Sequence, residues 1–447
     1  MRRSRRFVGN LLAFSLLASF AACGGSDDTP ASVDAMEHDG AHSADGQGSD
    51  GQVSEDVADG PWTRPADCPD LTGSRPARRS EHTGAFDAEG QRLVMFGGSF
   101  GVPQNCGYPI PTFETETWIW DARCRSWRQS NATGPAGRAR AASTWVPGVG
   151  LVIFGGRSRV GKSGAYTLHG DLWAYDPDDD VWFELSAKGP IAPRFNTTMV
   201  YAEGGNILVF GGNTSTSGMN YTANNDVWSF NVDSREWTQV PIEGSSPSKR
   251  FFAAATWDSK RKRMVIHGGA DESLFSNTAK YRTDLWALTI EEGTGKWRKL
   301  VTPNAMPDGR FWGGMSYDPK GDRYIMFGGH DDKNLGNRND LWAYDLAAGA
   351  WKLLRQADTY NKPPVDFCNF PPDFTNMDED SPERRNGGVV AGGPGGLWVQ
   401  GGKTDCGVID DLFWYDYEND EWIEYTTATV GESCIRKGGV ECTDYCL

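Results

Sequence analysis

An apolar run that ends in a pair of glycines recurs six times along this 447-residue sequence. The pairs begin at residues 97, 155, 211, 268, 328 and 401, so successive pairs are 58, 56, 57, 60 and 73 residues apart. Internal self-similarity with a period of about 50 to 60 residues is typical of β-propellers and solenoids. Most of the chain is therefore expected to fold as copies of one supersecondary unit.

A second motif follows each glycine pair. Two tryptophans stand nine residues apart in four repeats, as at Trp173 and Trp182, and eleven apart in the fourth repeat. The sixth repeat has Phe413 in place of the first tryptophan. An acidic residue precedes this aromatic position by two: Glu116, Asp171, Asp226, Asp284, Asp340 and Asp411. Each repeat also contains four short runs rich in Trp, Phe, Val and Ile, which predict antiparallel strands; in the first repeat they are 82–86, 92–96, 116–120 and 126–129.

The order of these motifs resembles the kelch repeat, and the resemblance extends over residues 76–425. It implies an all-β fold, a six-bladed kelch-like β-propeller of four-stranded antiparallel blades. The physics agrees, because a single four-stranded sheet cannot bury both of its faces. Six sheets around an axis bury the tryptophans between blades and leave only short edges exposed.

Four segments are predicted. Residues 1–22 form a basic and then apolar secretory signal. The end of this signal resembles a bacterial lipobox, which implies lipidation of Cys23; the alternative is ordinary cleavage without a lipid. Residues 23–60 are predicted to be an acidic, disordered tether, because positions 24–60 contain ten Asp and Glu and no Lys or Arg. The propeller is assigned to 61–433, with an insertion at 353–381, and a Cys-rich tail to 434–447.

Charge and hydropathy restrict the partners. Without the first 22 residues the chain has 40 basic and 60 acidic residues, which argues against nucleic-acid or anionic-membrane binding. No apolar run after residue 22 is long enough to span a bilayer. We therefore expect an exported monomer whose membrane attachment is the lipid alone, at the outer membrane or cell surface rather than the inner membrane.

Eight cysteines remain when Cys23 is set aside, which suits four disulfides in an exported protein. In a propeller, the loop before the first strand and the loop between the second and third strands lie on one face. That topology assigns four cysteines to this face: Cys68, Cys106, Cys368 and Cys406. Cys124 is expected on the opposite face, and we predict a disulfide between Cys368 and Cys406.

An arginine precedes each glycine pair by 17 or 18 residues: Arg79, Arg138, Arg194, Arg250, Arg310 and Arg384. Two interpretations are open. Six guanidinium groups at a channel mouth would bind carboxylates or other anions. Alternatively, each arginine pairs with the acidic residue of a neighbouring blade. We favour this structural alternative, because residues repeated in every blade usually serve the repeat.

His267 and Gln400 occupy the position at which the other four repeats have phenylalanine. A buried polar side chain there needs a hydrogen-bond partner or must line the axial channel. His330 follows the glycine pair of the fifth repeat, so His267 and His330 are candidate ligand-binding residues, and with Asp331 or Asp332 they could bind a metal. Two histidines are few for such a site, and no metal or other cofactor is predicted.

One motif match is rejected. Residues 156–163 fit the phosphate-loop pattern, but that loop requires a helix to begin at the lysine, and here the chain continues directly to the next strand. No Ser-His-Asp signature or close carboxylate pair stands out in the sequence, and no catalytic residue is predicted. The favoured function is an envelope-anchored binding or scaffolding module for a protein or glycan. The alternative is a carbohydrate-active enzyme resembling the kelch-type bacterial sialic-acid epimerases.

Overall fold

A computed structural model describes residues 62–70, 73–100, 112–161, 164–217, 220–274, 278–331, 336–356, 358–360, 375–376, 378, 380–404 and 407–429. The chain divides into two units, Met1–Trp62 and Thr63–Leu447, and the fold described below is that of the second. Every regular element in the described residues is a β-strand. The same residues include no helix of the length and hydropathy needed to cross a bilayer.

The strands follow one another blade by blade. Blade 1 contains β1 (Thr83–Asp87), β2 (Arg92–Phe96), β3 (Thr117–Asp121) and β4 (Ser126–Gln129). Blade 2 contains β5 (Ala142–Val146), β6 (Gly150–Phe154), the short hairpin β7 (Arg157–Ser158) and β8 (Thr167–Leu168), then β9 (Leu172–Asp176) and β10 (Val181–Ser186). Blade 3 contains β11 (Thr198–Tyr201), β12 (Asn206–Phe210), β13 (Val227–Asn231) and β14 (Glu236–Gln239).

Blade 4 begins with the short β15 (Ile242–Glu243), followed by β16 (Ala254–Asp258), β17 (Arg263–His267), β18 (Leu285–Glu291) and β19 (Thr294–Lys299). Blade 5 contains β20 (Gly314–Asp318), β21 (Arg323–Asp331), β22 (Gly336–Asp345) and β23 (Ala350–Arg355). The insertion contributes β24 (Thr359–Tyr360) and β25 (Thr375–Asn376). Blade 6 contains β26 (Val389–Gly393), β27 (Gly396–Lys403), β28 (Val408–Asp416) and β29 (Glu421–Thr426).

The sheet pairing confirms the predicted six-bladed propeller. Each blade is a sheet of sequential antiparallel strands, and blade 4 gains β15 as a parallel fifth strand against β19. The first strands of neighbouring blades contact one another around the axis, and β26 of blade 6 contacts β1. The ring is therefore closed by contacts between whole blades. We call the end of the ring with the loops before each first strand the upper face.

The hydrophobic core lies between the blades. Side chains alternate along a strand, so Leu151 and Ile153 of β6 pack with blade 1, while Val152 and Phe154 pack with blade 3. In blades 1, 2, 3 and 5 the phenylalanine before the glycine pair contacts the outer tryptophan of the next blade, with ring centroids 5.0 to 5.3 Å apart. The apolar and tryptophan motifs of the sequence are thus two halves of one interface between blades.

The glycine pairs join each blade to the next. The N–H of each second glycine donates to the carbonyl of an arginine in the following blade, at 2.9 to 3.1 Å, and Gly402 closes the ring onto Arg79. The first glycine allows this close approach. Gly155 has a φ of +70°, and a Cβ there would lie 2.3 Å from the carbonyl oxygen of Arg194. Both the left-handed backbone and the missing side chain are needed at this position.

One cysteine prediction is wrong. Cys68 and Cys124, assigned to opposite faces, form a disulfide. Residue 68 lies 15 residues before the start of β1, so it is not part of the loop that connects to that strand. The segment around it packs against the β3–β4 turn instead. There the guanidinium of Arg64 donates to the Cys124 carbonyl at 2.9 Å, and Arg123 pairs with Asp67 at 2.6 Å. Cys23, Cys106, Cys368 and Cys406 lie outside the described residues, so the disulfide between Cys368 and Cys406 stays a prediction.

Candidate ligand-binding site

The repeated arginines are buried at the blade interfaces. Their residues are no more than 2% exposed in any blade. In blades 2 to 5 each guanidinium binds both oxygens of the acidic residue of the motif, as Arg250 does with Asp284 at 2.6 and 3.0 Å. It also donates to the carbonyl of the first glycine of its own blade, at 3.0 Å for Arg250 and Gly268. The same carboxylate accepts the indole N–H of Trp286 at 2.7 Å.

These contacts favour the structural interpretation of the arginines and modify it in two respects. Each arginine pairs with a carboxylate of its own blade, not of the neighbouring blade. In blade 6 the equivalent residue is Arg385, which binds Asp411 with an Nη2–Oδ2 distance of 2.7 Å. Arg384 instead pairs with Asp358 at 3.0 Å, at the base of the insertion. A one-residue difference in spacing made Arg384 look like the repeat residue.

A second ring lies closer to the axis, two residues after each of these arginines. Its six members are Glu81, Arg140, Asn196, Phe252, Trp312 and Gly387. All have a positive φ, between +54° and +64°. In five of the six steps around the ring, the N–H donates to the carbonyl of the preceding blade's member, at 2.7 to 3.1 Å. The main chain therefore builds this axial ring, and the side chains differ completely from blade to blade.

The axial ring surrounds a cavity of about 90 Å³ on the upper face. We call this cavity and its mouth the axial basin. Both polar atoms of the Asn196 side chain, the Nε of Arg140 and the Nδ1 of His82 are buried without a hydrogen-bond partner in the described structure. Buried polar groups are normally paired, so an unpaired cluster around a cavity marks a place where water or a ligand binds.

Charged and aromatic residues occupy different parts of the basin. Glu81 binds Arg140 at 2.5 Å and lies 3.9 Å from Arg157. Burial alone would raise the pKa of Glu81, but the charges of Arg140, Arg157 and Lys403 outweigh it and lower the pKa. Blades 3 to 5 supply a packed aromatic cluster, the aromatic wall, that contains Tyr221, Phe251, Phe252, Tyr281, Phe311 and Trp312. Two of these residues, Phe252 and Trp312, line the cavity itself.

Arg140 of blade 2 and Trp312 of blade 5 are in contact across the axial ring. The Arg140 guanidinium lies 4.8 Å from the centroid of the Trp312 ring and 5.4 Å from that of Phe252. Gly387 makes room for the indole, because a Cβ at this sixth ring position would lie 3.2 Å from a Trp312 ring carbon. Cation–π contacts of this kind hold a guanidinium by its faces and leave its edge free for hydrogen bonds.

The two candidate histidines lie in different environments. His267 occupies the phenylalanine position of blade 4 and contacts Trp351 of blade 5 with ring centroids 5.3 Å apart. His330 lies by the basin, against Phe311 and 2.8 Å from the Asn337 side-chain oxygen. The side-chain oxygen of Gln400 accepts a hydrogen bond from the Nε2 of His82 across the ring closure at 2.7 Å. No group of three metal-ligating side chains occurs in the described part of the chain.

Replacing His267 by phenylalanine is expected to stabilise the propeller by about 1–2 kcal/mol at neutral pH. The ring nitrogens make no hydrogen bond of normal geometry in the described structure, although the Thr283 backbone interacts weakly with the ring. Burial, and then the charge of Arg310, lowers the pKa of His267 to about 3. Between about pH 6.5 and 3, His267 is therefore protonated in the unfolded chain but not in the folded one. The free energy of unfolding of the wild type falls by about 1.4 kcal/mol for each unit by which the pH decreases in this range.

The measurement is the free energy of unfolding of the wild type and His267→Phe between pH 7 and 4. The advantage of the variant should grow as the pH falls. Phe210→His is the matched control, since it places an imidazole at the equivalent interface and should destabilise blade 3. A His267→Phe protein that is less stable than the wild type would show that the histidine has an unrecognised partner.

Comparison with known families agrees with this architecture. A model of the KLHDC2/KLHL20/DRC7 Kelch-repeats domain matches residues 39–269 and, in a second overlapping match, residues 160–370. The two matches together cover well over half of the sequence, so the chain belongs to this kelch-repeat family. Individual relatives then show how far the similarity extends.

Kelch domain-containing protein 10 of Homo sapiens is 27% identical over 213 residues, which are 46% of this chain and 45% of that protein. The flagellar outer-arm dynein alpha chain of Chlamydomonas reinhardtii is 30% identical over 254 residues, 54% of this chain but 5% of the dynein. The chain thus spans less than half of either relative. The solved structure of YjhT has a TM-score of 0.56 and 18% identity, covering 79% of this chain and 99% of YjhT, and shows the fold alone.

Proposed function

We propose that this chain is a binding module that recognises a protein or glycan ligand at the axial basin of its upper face. The observation that supports this proposal is the axial ring. Six positions that share one backbone conformation, and that are joined by the same main-chain hydrogen bond in five of six steps, are occupied by six different residues. Repeat positions with a structural role, such as the paired arginines, are the same in every blade. Side chains that differ at equivalent backbone positions are free to serve a ligand.

Two further observations support a ligand at this place. The basin has unpaired buried polar atoms beside a large aromatic wall, a combination typical of recognition sites. Kelch propellers as a class generally act as protein-binding scaffolds, and this chain belongs to that class. Fold alone does not identify a ligand, so the proposal depends on the basin.

The proposal includes a location. The basic and apolar residues 1–22 would export the chain, and Cys23 would then carry the lipid that attaches it to the cell envelope. An acidic tether at 23–60 would separate the propeller from the membrane. Several acyl chains on one cysteine would give firm attachment, whereas a single chain gives marginal attachment.

Both parts can be tested in the same cells with a photo-crosslinking amino acid and an alkyne-labelled fatty acid. Val160 lies in the β7–β8 loop of the upper face and is 98% exposed, and Ser234 is an exposed residue in the β13–β14 turn of the opposite face. The crosslinker at position 160 should form a discrete adduct, and at position 234 it should not. Fatty-acid label should enter the wild type and be absent from Cys23→Ser.

The contrary results are equally specific. Adducts at 234 alone, or equal adducts at both positions, would show that the upper face is not the binding surface. Label in Cys23→Ser equal to that in the wild type would show that Cys23 does not carry the lipid. Release of a modified sugar by the purified propeller, lost on changing basin residues, would replace the binding function with the carbohydrate-active alternative.

A further inference from the structure

A second cavity lies at the junction of blades 6 and 1, away from the axial basin. Its volume is about 370 Å³, and in the described part of the chain it is lined by strands of blade 1, by the end of β29 and by the segment before β1. Pockets that bind small molecules usually have volumes of about 300–1,000 Å³. This space, which we call the junction cavity, therefore has room for a ligand of the size of one sugar ring.

Two attachments hold the segment before β1 beside the junction cavity. At one end, the disulfide of Cys68 with Cys124 fixes the segment to the β3–β4 turn of blade 1. At the other end, the Arg75 guanidinium donates to the Thr427 carbonyl of blade 6 at 2.7 Å and pairs with Asp410 at 3.2 Å. The described residues between these attachments form one side of the cavity. That side is thus held to both blades.

Three aromatic rings line the junction cavity: Trp120 and Trp127 of blade 1 and Tyr425 of blade 6. The centroid of the Trp120 ring lies 5.5 Å from that of Trp127 and 5.8 Å from that of Tyr425. The face of an aromatic ring is electron-rich and attracts weakly positive hydrogens. The C–H bonds on one face of a pyranose ring present such hydrogens, so these rings suit a sugar.

Trp120 differs from the residues at the same position in the other blades. Those blades have a tyrosine whose hydroxyl is hydrogen-bonded, a phenylalanine or a leucine: Tyr175, Tyr344, Tyr415, Phe230 and Leu288. The Nε1 of Trp120 is buried without a hydrogen-bond partner in the described structure. Because buried N–H groups are normally paired, this donor indicates the place of an acceptor oxygen from water or a ligand.

The arginines that line the junction cavity are already engaged. Arg92 pairs with two carboxylates, at 2.7 and 2.5 Å. Arg128 donates to a backbone carbonyl at 2.8 Å, and the Arg125 guanidinium lies 5.2 Å from the centroid of the Tyr425 ring. The Asp121 carboxylate lines the same cavity and would repel an anion. These charges favour a neutral ligand whose hydroxyl groups both donate and accept.

We propose that the junction cavity binds the pyranose ring of a neutral sugar. One face of the ring packs against the aromatic side chains, and a ring hydroxyl accepts a hydrogen bond from the Nε1 of Trp120. A purely apolar ligand would leave this N–H without an acceptor. The site is separate from the axial basin, so it does not depend on the proposed function.

The test titrates the full chain with four neutral sugars in ligand-observed NMR: the methyl pyranosides of glucose, galactose, mannose and N-acetylglucosamine. At least one should bind with a dissociation constant of about 10 mM or lower. Cyclohexanol has a ring of the same size with a single hydroxyl, and glucuronate adds a negative charge. Both should bind about tenfold more weakly than the best neutral sugar.

Three variants assign the binding to the junction cavity. Trp120→Phe keeps an aromatic ring, as Phe230 does in blade 3, and should weaken binding about tenfold because the N–H donor is lost. Ser126→Leu places an apolar side chain in the cavity and should abolish measurable binding. Trp297→Phe is the matched control, since its Nε1 is also buried without a partner in the described structure but the side chain packs between blades 3 and 4. Its sugar binding should equal that of the wild type.

The opposite results are equally clear. If none of the four sugars binds, or if cyclohexanol binds as tightly as they do, the inference is wrong. Equal binding by the wild type and Ser126→Leu would show that the sugar binds elsewhere. Tighter binding of glucuronate would show that the ligand is an anion. Binding that appears only after removal of residues 430–447 would show that the chain itself occupies the cavity, and would also overturn the proposal.

Discussion

Gly155→Ala is expected to destabilise the propeller by about 3 kcal/mol or more. Alanine at a φ of +70° costs about 1–2 kcal/mol in backbone strain. The new Cβ would also lie 2.3 Å from the Arg194 carbonyl of the next blade, so the two blades would have to separate, at a further cost of about 1–3 kcal/mol. Separation would weaken the hydrogen bond of 2.9 Å from Gly156 to the same carbonyl.

Gly148→Ala is the matched control. Gly148 has a φ of +74°, and a Cβ at this position would meet nothing within 4 Å. Gly148→Ala should lower the free energy of unfolding by the backbone strain alone, about 1–2 kcal/mol. The difference between the two variants in urea-induced unfolding therefore measures the approach of blade 2 to blade 3. Equal losses at 148 and 155 would show that only backbone conformation, and not contact between blades, requires glycine.

Arg310→Met is expected to cost about 3–5 kcal/mol, because it leaves the Asp340 carboxylate buried without its cation. Arg310 is 2% exposed and Asp340 5%. Burial would raise the pKa of Asp340, and Arg310 outweighs burial and lowers it. Arg235→Met, at an exposed turn, should change the free energy of unfolding by less than about 0.5 kcal/mol.

The loss should depend on pH in a direction that identifies its cause. With Arg310 absent, we expect burial, the largest single effect on Asp340, to outweigh the lowering by Trp342 and Arg338, so that the folded-state pKa of Asp340 rises above its unfolded value. The penalty is then largest above that raised pKa and disappears as the pH falls below the unfolded value. Unfolding measured at pH 7 and pH 4 should show the gap between variant and wild type closing in acid. A stable Arg310→Met protein with impaired ligand binding would instead support the ligand-binding interpretation of the arginines.

The fold was predictable because its signals repeat. The apolar run, the glycine pair and the acidic-x-aromatic motif each make a contact that recurs at every blade interface, such as Gly156 with Arg194 or Asp284 with Trp286. Six copies in register determine strand order and closure. The disulfide of Cys68 with Cys124 was not predictable in this way, because residue 68 lies in a segment that has no counterpart in the repeat.

The axial basin was missed for the opposite reason. Its ring residues stand at a constant distance after the repeated arginines, but no two of them are alike, so they leave no motif. A comparison of the position two residues after each arginine would have revealed the set, provided that Arg385 and not Arg384 was taken in the last repeat. Arg157 also stands at a constant place, directly after a glycine pair, where other blades have Ser99, Asn213, Ala270, His330 and Lys403.

The main-chain hydrogen bonds of the axial ring have a consequence for how such a protein can evolve. Because the bonds run through N–H and carbonyl groups, a mutation in Arg140 or Trp312 alters the surface around the axis without removing the bonds that hold neighbouring blades together. After duplication, blades can thus diverge at the axial-ring positions while selection still maintains the residues that the repeat needs to fold. New ligand preferences become accessible by single substitutions, each largely independent of folding.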